Sequence, residues 1–432
     1  MRFRYVWKEG FSDDGYLYME DDSRRYKGFG SARRNLAALR FVNRTFRRCA
    51  SPWLFRHIDA RHKQQADMLP LERLKKISES KYAKHVRQID IGFAPDIVYA
   101  GNTLYDCVMY VGDLQGLLGS YLARFPYIKA LEFHEPPPAM DKDHRTIYIH
   151  TVVSTLRYVR FPKLEELEIK FPIGDDFMLF DPDQQFFQTN SLRIPIYKVL
   201  TRVRHLGLHS CAYTAGVEGE EVPELITPEY ATFPSYIYSS KMFNMINQTC
   251  SLESLTISSQ DIVKLTEMPI SHLSKLRCLH LEGLTLSPND LLGLMDRCQE
   301  TMRYIALFNV KLRDKTWYYA LLRICKLRHL LDIQMEHCGY YSLGESAHLG
   351  HDIPNENIFQ QIETNSQYDR SALGTLQRQV NKNRVAVGYK PFSHERYHWC
   401  LEPPTGLKRD PYERSDNEYS CDDYSGDEKS GA

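Results

Sequence analysis

The chain has 432 residues, and its 55 basic and 55 acidic side chains leave no formal net charge. That balance excludes a role resting on chain-wide attraction to nucleic acid or a membrane surface, while leaving room for a local patch. Hydrophobic residues reach 43%, enough for a core, and this length predicts about three domains unless the chain grows by stacking repeats. Met1-Arg2-Phe3-Arg4 lacks the apolar run of a signal peptide, and no stretch is long and apolar enough to span a bilayer. The ten cysteines show no C-x-x-C pair, as expected of reduced thiols in an intracellular protein, cytoplasmic or nuclear.

Residues 1–30 carry turn signals at Asp13-Asp14-Gly15 and Gly28-Phe29-Gly30. A Gly-x-Gly with no strand before it and no phosphate-loop Lys after it is no nucleotide site. From Asn35 the pattern becomes helical, with Leu36, Leu39, Val42, Phe46 and Ala50 stepping by three and four. Ser51-Pro52 predicts a break near Cys49 and a short second helix through Trp53-Leu54-Phe55. The remaining face is basic (Arg33, Arg34, Arg40, Arg44, Arg47, Arg48) and reads as solvated.

The rest of the chain is organised around a repeat. Weak copies occur at Val86/Ile89/Ile91, Ile128/Leu131/Phe133, Leu164/Leu167/Ile169, Val203/Leu206/Leu208 and Leu252/Leu255/Ile257. The strongest is Leu276, Leu279, Leu281, Leu284 and Leu286, matched 26 residues later by Met302, Ile305, Leu307, Val310 and Leu312. Leu330, Ile333 and Met335 form a last copy. Steps of 24, 26 and 28 residues from Leu252 onward follow steps of 36 to 49, so the early copies carry inserted loops.

After the two strong copies, Ser287-Pro288 and Asp314 predict helix starts. Helix-spaced residues follow each: Leu291, Leu292, Leu294, Met295 and Cys298, then Trp317, Ala320, Leu321 and Ile324. Strand, turn and helix at a period of 20–29 residues is the pattern of leucine-rich repeats, which must stack to bury their apolar faces. The expected fold is therefore α/β: an irregular leucine-rich-repeat solenoid, with short parallel strands on the concave side and helices on the convex side. Between the inward Leu/Ile pairs stands a column of residues: Asp90, Glu132, Glu168, Gly207, Thr256, His280, Ala306 and Gln334. Of these, Asp90, Glu132, Glu168, Thr256, His280 and Gln334 are the candidate target-binding residues. The column is acidic at its N-terminal end, which suits a partner with a basic patch. Its charges are expected to be rim-like, each worth under about 1 kcal/mol.

Past Met335, Ile358, Ile362, Leu373, Leu376 and Val380 predict a helical cap, and residues 409–432 an acidic disordered tail. His394-Glu395-Arg396-Tyr397-His398 matches the zinc motif H-E-x-x-H. Pro391 and Pro403-Pro404 leave little room for the required helix, and third-ligand candidates Glu413 and Glu418 fall in the tail. No catalytic residue, metal site or cofactor is expected.

Leu36-Ala37-Ala38-Leu39-Arg40-Phe41-Val42-Asn43-Arg44-Thr45-Phe46, followed by Ala50-Ser51-Pro52-Trp53-Leu54-Phe55-Arg56-His57-Ile58, resembles the second half of the F-box in fungal F-box/leucine-rich-repeat proteins. Pro70–Ile77 leading into Tyr82–Ile91, and the phrase Leu307–Leu312 with Trp317, look similar to the same family. The Leu-Pro-x-Glu opening of an F-box is not found in residues 1–30. The resemblance implies a non-enzymatic substrate-recognition subunit of an SCF-type ubiquitin ligase. In that reading Leu36, Leu39, Val42, Phe46, Trp53 and Leu54 are divided between a small core and the adaptor contact, and an unidentified protein substrate binds the repeats. The expected organisation is an N-terminal segment 1–30, an F-box-like helical segment 31–64, a repeat domain 65–345, a capping region 346–408 and the tail 409–432.

Overall fold

The structure is a computed structural model that describes residues 35–63, 69–94, 104–137, 140–172, 174–180, 194–210, 239–259, 273–313, 315–340 and 366–392. The N-terminal part runs α1 (residues 35–42), α2 (Arg44–Leu54), β1 (His57–His62), α3 (Pro70–Ser78), β2 (Gln88–Phe93) and α4 (Leu104–Leu122). Next come β3 (Ala130–Phe133), α5 (Lys142–Tyr158), β4 (Glu166–Phe171), α6 (Ile196–Leu200), β5 (His205–Ser210), α7 (Ser239–Asn247) and β6 (Ser254–Ser259). Then follow β7 (Cys278–Glu282), β8 (Thr285–Leu286), α8 (Pro288–Arg297), β9 (Tyr304–Phe308), β10 (Lys311–Leu312) and α9 (Trp317–Ile324). The chain closes on β11 (Asp332–Glu336), β12 (Gly339–Tyr340) and α10 (Gln367–Ala386).

Among the described residues, nine strands form one open parallel sheet in the order β1-β2-β3-β4-β5-β6-β7-β9-β11, so each strand lies beside the next long strand of the chain. None of the described helices is long and apolar enough to cross a membrane. The Leu/Ile pairs of the repeat stand in register: Ile89 beside Leu131, Leu167, Leu206, Leu255, Leu279, Ile305 and Ile333 in turn. With the residues two positions on, they join Leu114, Val152, Leu294 and Trp317 from the helices in one continuous buried cluster. Each such burial contributes roughly 1.5–3 kcal/mol, more than a lone strand's face can collect without a neighbour.

The strands are entered in one way throughout. The carbonyl of Arg56 accepts from the N–H groups of both Arg87 and Gln88, and that of Arg87 from Lys129 and Ala130. The same two-donor arrangement recurs at Lys129, Glu165, Arg204, Glu253, Arg277 and Arg303. Strand exits are uniform in the last three repeats. Gly283, Asn309 and His337, each one residue past a strand, all adopt positive φ, at 69°, 50° and 52°. This left-handed turn redirects the chain into β8, β10 and β12, a second three-stranded parallel sheet.

Several elements differ from the sequence expectation. The N-terminal break lies at Asn43, whose Oδ1 accepts from Phe46 N–H at 2.9 Å, and α2 runs on through Pro52. Pro52 sits two residues before the C-terminal end of α2, so it forfeits one i→i−4 bond of the last turn, while the Asn43 cap satisfies an otherwise orphaned donor at the start. Residues 57–62, expected in the helical segment, form β1, because Ile58 and Ala60 alternate inward beside Ile89 and Ile91. Ser287 occupies the cap position of α8 without a side-chain cap bond. Thr316 caps α9, Asp314 lying outside the described residues. Also outside them are residues 1–30, Arg33, Arg34, Ile358, Ile362, the H-E-x-x-H motif and the tail.

The cap prediction falls on α10, which begins at Ser366 and lays buried Leu373, Leu376 and Val380 into the core cluster. Its polar side chains close the last strand's end. Asn383 donates to the Leu327 and Leu330 carbonyls at 3.1 and 2.9 Å, and Arg384 to that of Leu331 at 3.2 Å.

Asn309 is exposed, so replacing it tests the left-handed turn apart from packing. A β-branched residue is poorly tolerated there. Asn309→Val is expected to lower unfolding free energy by about 1–2 kcal/mol in urea titration, and Asn309→Gly to leave it nearly unchanged.

Candidate functional site

The first candidate surface is made by α1 and α2. Arg40, expected on the solvated face, instead docks α1: its guanidinium lies 4.9 Å from the Phe55 ring centroid and 5.1 Å from that of Tyr82. Those two rings stack at 4.3 Å, and Arg40 Nη2 donates to the Tyr82 hydroxyl at 3.1 Å. A cation held against two aromatic rings is favourable once partly desolvated. Turning Arg40 inward turns the apolar stripe outward. Leu39 (37%), Phe46 (43%), Val42 (63%), Trp53 (63%) and Phe41 (84%) are exposed, and Leu36 and Leu54 are half-buried. Phe41 escaped the sequence reading because it lies off the three-four spacing of the stripe.

The second surface is the sheet face opposite the Leu/Ile pairs. The strand register sets Asp59, Asp90, Glu132, Glu168, Gly207, Thr256, His280, Ala306 and Gln334 side by side. These are not the rim charges expected. Asp90, Glu132, His280 and Gln334 are buried, and Glu168 and Thr256 partly so. The reason is a second tier two residues further along each strand, on the same face. It supplies His134, Lys170 and His209, so the acids are met by side chains of the chain itself.

Lys170 Nζ bridges Glu132 Oε1 at 2.8 Å and Glu168 Oε1 at 2.9 Å, and His209 Nε2 lies 3.2 Å from Glu168 Oε1. Gly207 leaves the space: a Cβ there would sit 2.8 Å from Glu168 Cγ. Asp90 receives Gln88 Nε2 on Oδ1 at 3.1 Å and pairs with His57 Nε2 on Oδ2 at 2.8 Å. Burial would raise the pKa of Asp59, but the Arg61 fork at 2.9 and 3.1 Å and the Lys63 ammonium hold its carboxyl well below the usual range. The alternation Glu132/His134 and Glu168/Lys170 was the available signal for this tier.

Backbone groups at the strand ends are fixed by buried tyrosines. Tyr148 of α5 donates to the His134 carbonyl at 2.6 Å, and Tyr110 of α4 to that of Ala60 at 2.7 Å. Gly92 (φ 108°) allows this close approach, since a Cβ would sit 2.4 Å from the His134 carbonyl oxygen.

No protein-family model matches the chain, and no curated protein matches its sequence.

Among the described residues, Asp90, Glu132 and His134 bring one donor atom each within 4.8 Å of one another. All three are buried. Burial, with the nearby Lys170 and Arg61 charges, holds His134 well below 6.5. Burial likewise pushes His280 down to about 3, with His209 adding to the shift.

A depressed histidine has a defined linkage sign. The unfolded chain takes up the proton near 6.5 and the folded chain only near 3, so stability is full above 6.5 and lost as pH falls. The chain should lose roughly 1.4 kcal/mol per pH unit from His280 alone across that window. Urea midpoints measured between pH 7 and 4.5 check this, and His280→Gln should flatten the slope.

Proposed function

We propose that this chain is a non-enzymatic protein-recognition subunit: a leucine-rich-repeat solenoid joined to an F-box-like helical segment that docks onto the adaptor of an SCF-type ubiquitin ligase. The observation that carries the reading is the apolar face of α1 and α2. Five large apolar side chains gathered on two short helices are unusual for a surface without a partner, and aromatic anchors such as Trp53 dominate interface energetics. The repeat reading is supported by the neighbour-to-neighbour order of the parallel strands, the shared strand-entry bonds and the left-handed exits spaced 26 and 28 residues apart. In this proposal the protein substrate meets the repeats on the sheet face carrying Asp90, Glu132, Glu168, Thr256, His280 and Gln334. Its entry would have to compete with the internal pairing of Glu132 and Glu168.

Co-purification of the full chain with the SCF adaptor tests the reading. A stoichiometric complex is expected, weakened at least about 30-fold by Trp53→Ala with Val42→Asp, in line with hot-spot losses of ~2 kcal/mol or more. Because both side chains are mostly exposed, the thermal midpoint of the variant should hold. A folded chain that forms no complex would leave a repeat scaffold without a ligase role.

A further inference from the structure

We propose that Asp90, Glu132 and His134 form a binding site for a borderline divalent cation such as Zn2+ on the polar face of the sheet, separate from the H-E-x-x-H motif. Asp90 and Glu132 are register partners on β2 and β3, and His134 follows Glu132 by two residues on the same face. The donor set is two carboxylates and one imidazole, which suits Zn2+ or Mn2+ better than a soft or an all-oxygen ion. The donor atoms lie within 4.8 Å of one another. An ion bonding each at about 2.0–2.2 Å sets tetrahedral ligands roughly 3.3–3.6 Å apart, so the more widely spaced donors must close in by rotamer change.

His134 is the independent sign of a ligand. It is 3% exposed, and neither ring nitrogen makes a hydrogen bond among the described residues. Yet Nε2 is aimed into the carboxylates, 3.0 Å from Glu132 Oε1 without hydrogen-bond alignment. Two ligands of one ion stand in this relation to each other. The backbone holds the ring there: His134 N–H donates to the Ile91 carbonyl at 2.8 Å, and its carbonyl accepts from Tyr148. Lys170 also contacts Glu132, but the same ammonium holds Glu168, so it can release one carboxylate and keep the other. His57 and Glu168, 37% and 25% exposed, flank the site where solvent reaches it.

The test is isothermal titration of Zn2+ into the full chain after chelator treatment, in a non-coordinating buffer near neutral pH. One equivalent binding at micromolar or tighter affinity is expected. Glu132→Gln with His134→Asn should weaken it at least 100-fold, while His394→Ala with His398→Ala leaves it intact. Titration of the unmutated chain with Co2+ covers the case in which the first variant fails to fold. Stoichiometric d–d absorption without a thiolate charge-transfer band is expected. Absence of stoichiometric binding, a thiolate band, binding that survives the first variant, or binding lost only in the second would each overturn the assignment.

Discussion

In the nine-stranded sheet each strand after β1 begins by placing two successive N–H groups on the carbonyl just before the preceding strand. Eight such carbonyls, from Arg56 to Arg303, connect β1 to β11 in an unbroken series. Parallel pairing requires a long crossover between strands, and here the crossovers are helices and loops of very different length. The entry bonds make that variation harmless, because wherever the chain leaves a strand it must return to the same atom. The residues at these eight positions are all charged, and two neighbouring pairs, Lys129–Glu165 and Arg204–Glu253, add ion pairs outside the bonds. Exposed pairs of this kind contribute little singly. The backbone acceptor is what sets the register.

Register then decides everything on the two faces of the sheet. One face carries Leu and Ile into the core shared with the helices, and a slip of one residue would exchange it for the charged face. The opposite face is a two-tier polar lattice in which acids of one tier meet bases of the next. Burying such groups is costly unless they are paired, and pairing them with each other limits what an outside partner can gain. A surface of this kind suits recognition by exchange of partners more than simple attraction, and the same constraint creates the three-donor cluster around His134.

The N-terminal helices follow a different logic. One arginine held against a stacked pair of aromatic rings orients α1, and that orientation presents its apolar stripe to solvent instead of the core. α1 is thus held against Phe55 and Tyr82 through a cation, and the two helices keep a hydrophobic surface exposed, which is the physical basis of the proposed docking.

The repeat itself was legible in the amino-acid sequence, because spacings such as Leu276, Leu279 and Leu281 against Met302, Ile305 and Leu307 record burial on one strand face. The neighbour relations of Asp90, Glu132, Glu168 and His280 followed from the same spacing. So did the helix carrying Leu373, Leu376 and Val380. Sequence alone did not determine which way an amphipathic helix turns. The stripe through Leu39, Val42 and Phe46 reads equally as core or as contact surface until Phe55 and Tyr82, from other segments, claim Arg40. Nor did it determine whether an acid in the column is exposed. That depends on Lys170 and His134 standing beside Glu132, on Gly207 leaving room for Glu168, and on Gly92 leaving room for the His134 backbone. Local periodicity encodes which residues share a face; only the packed structure decides what that face meets.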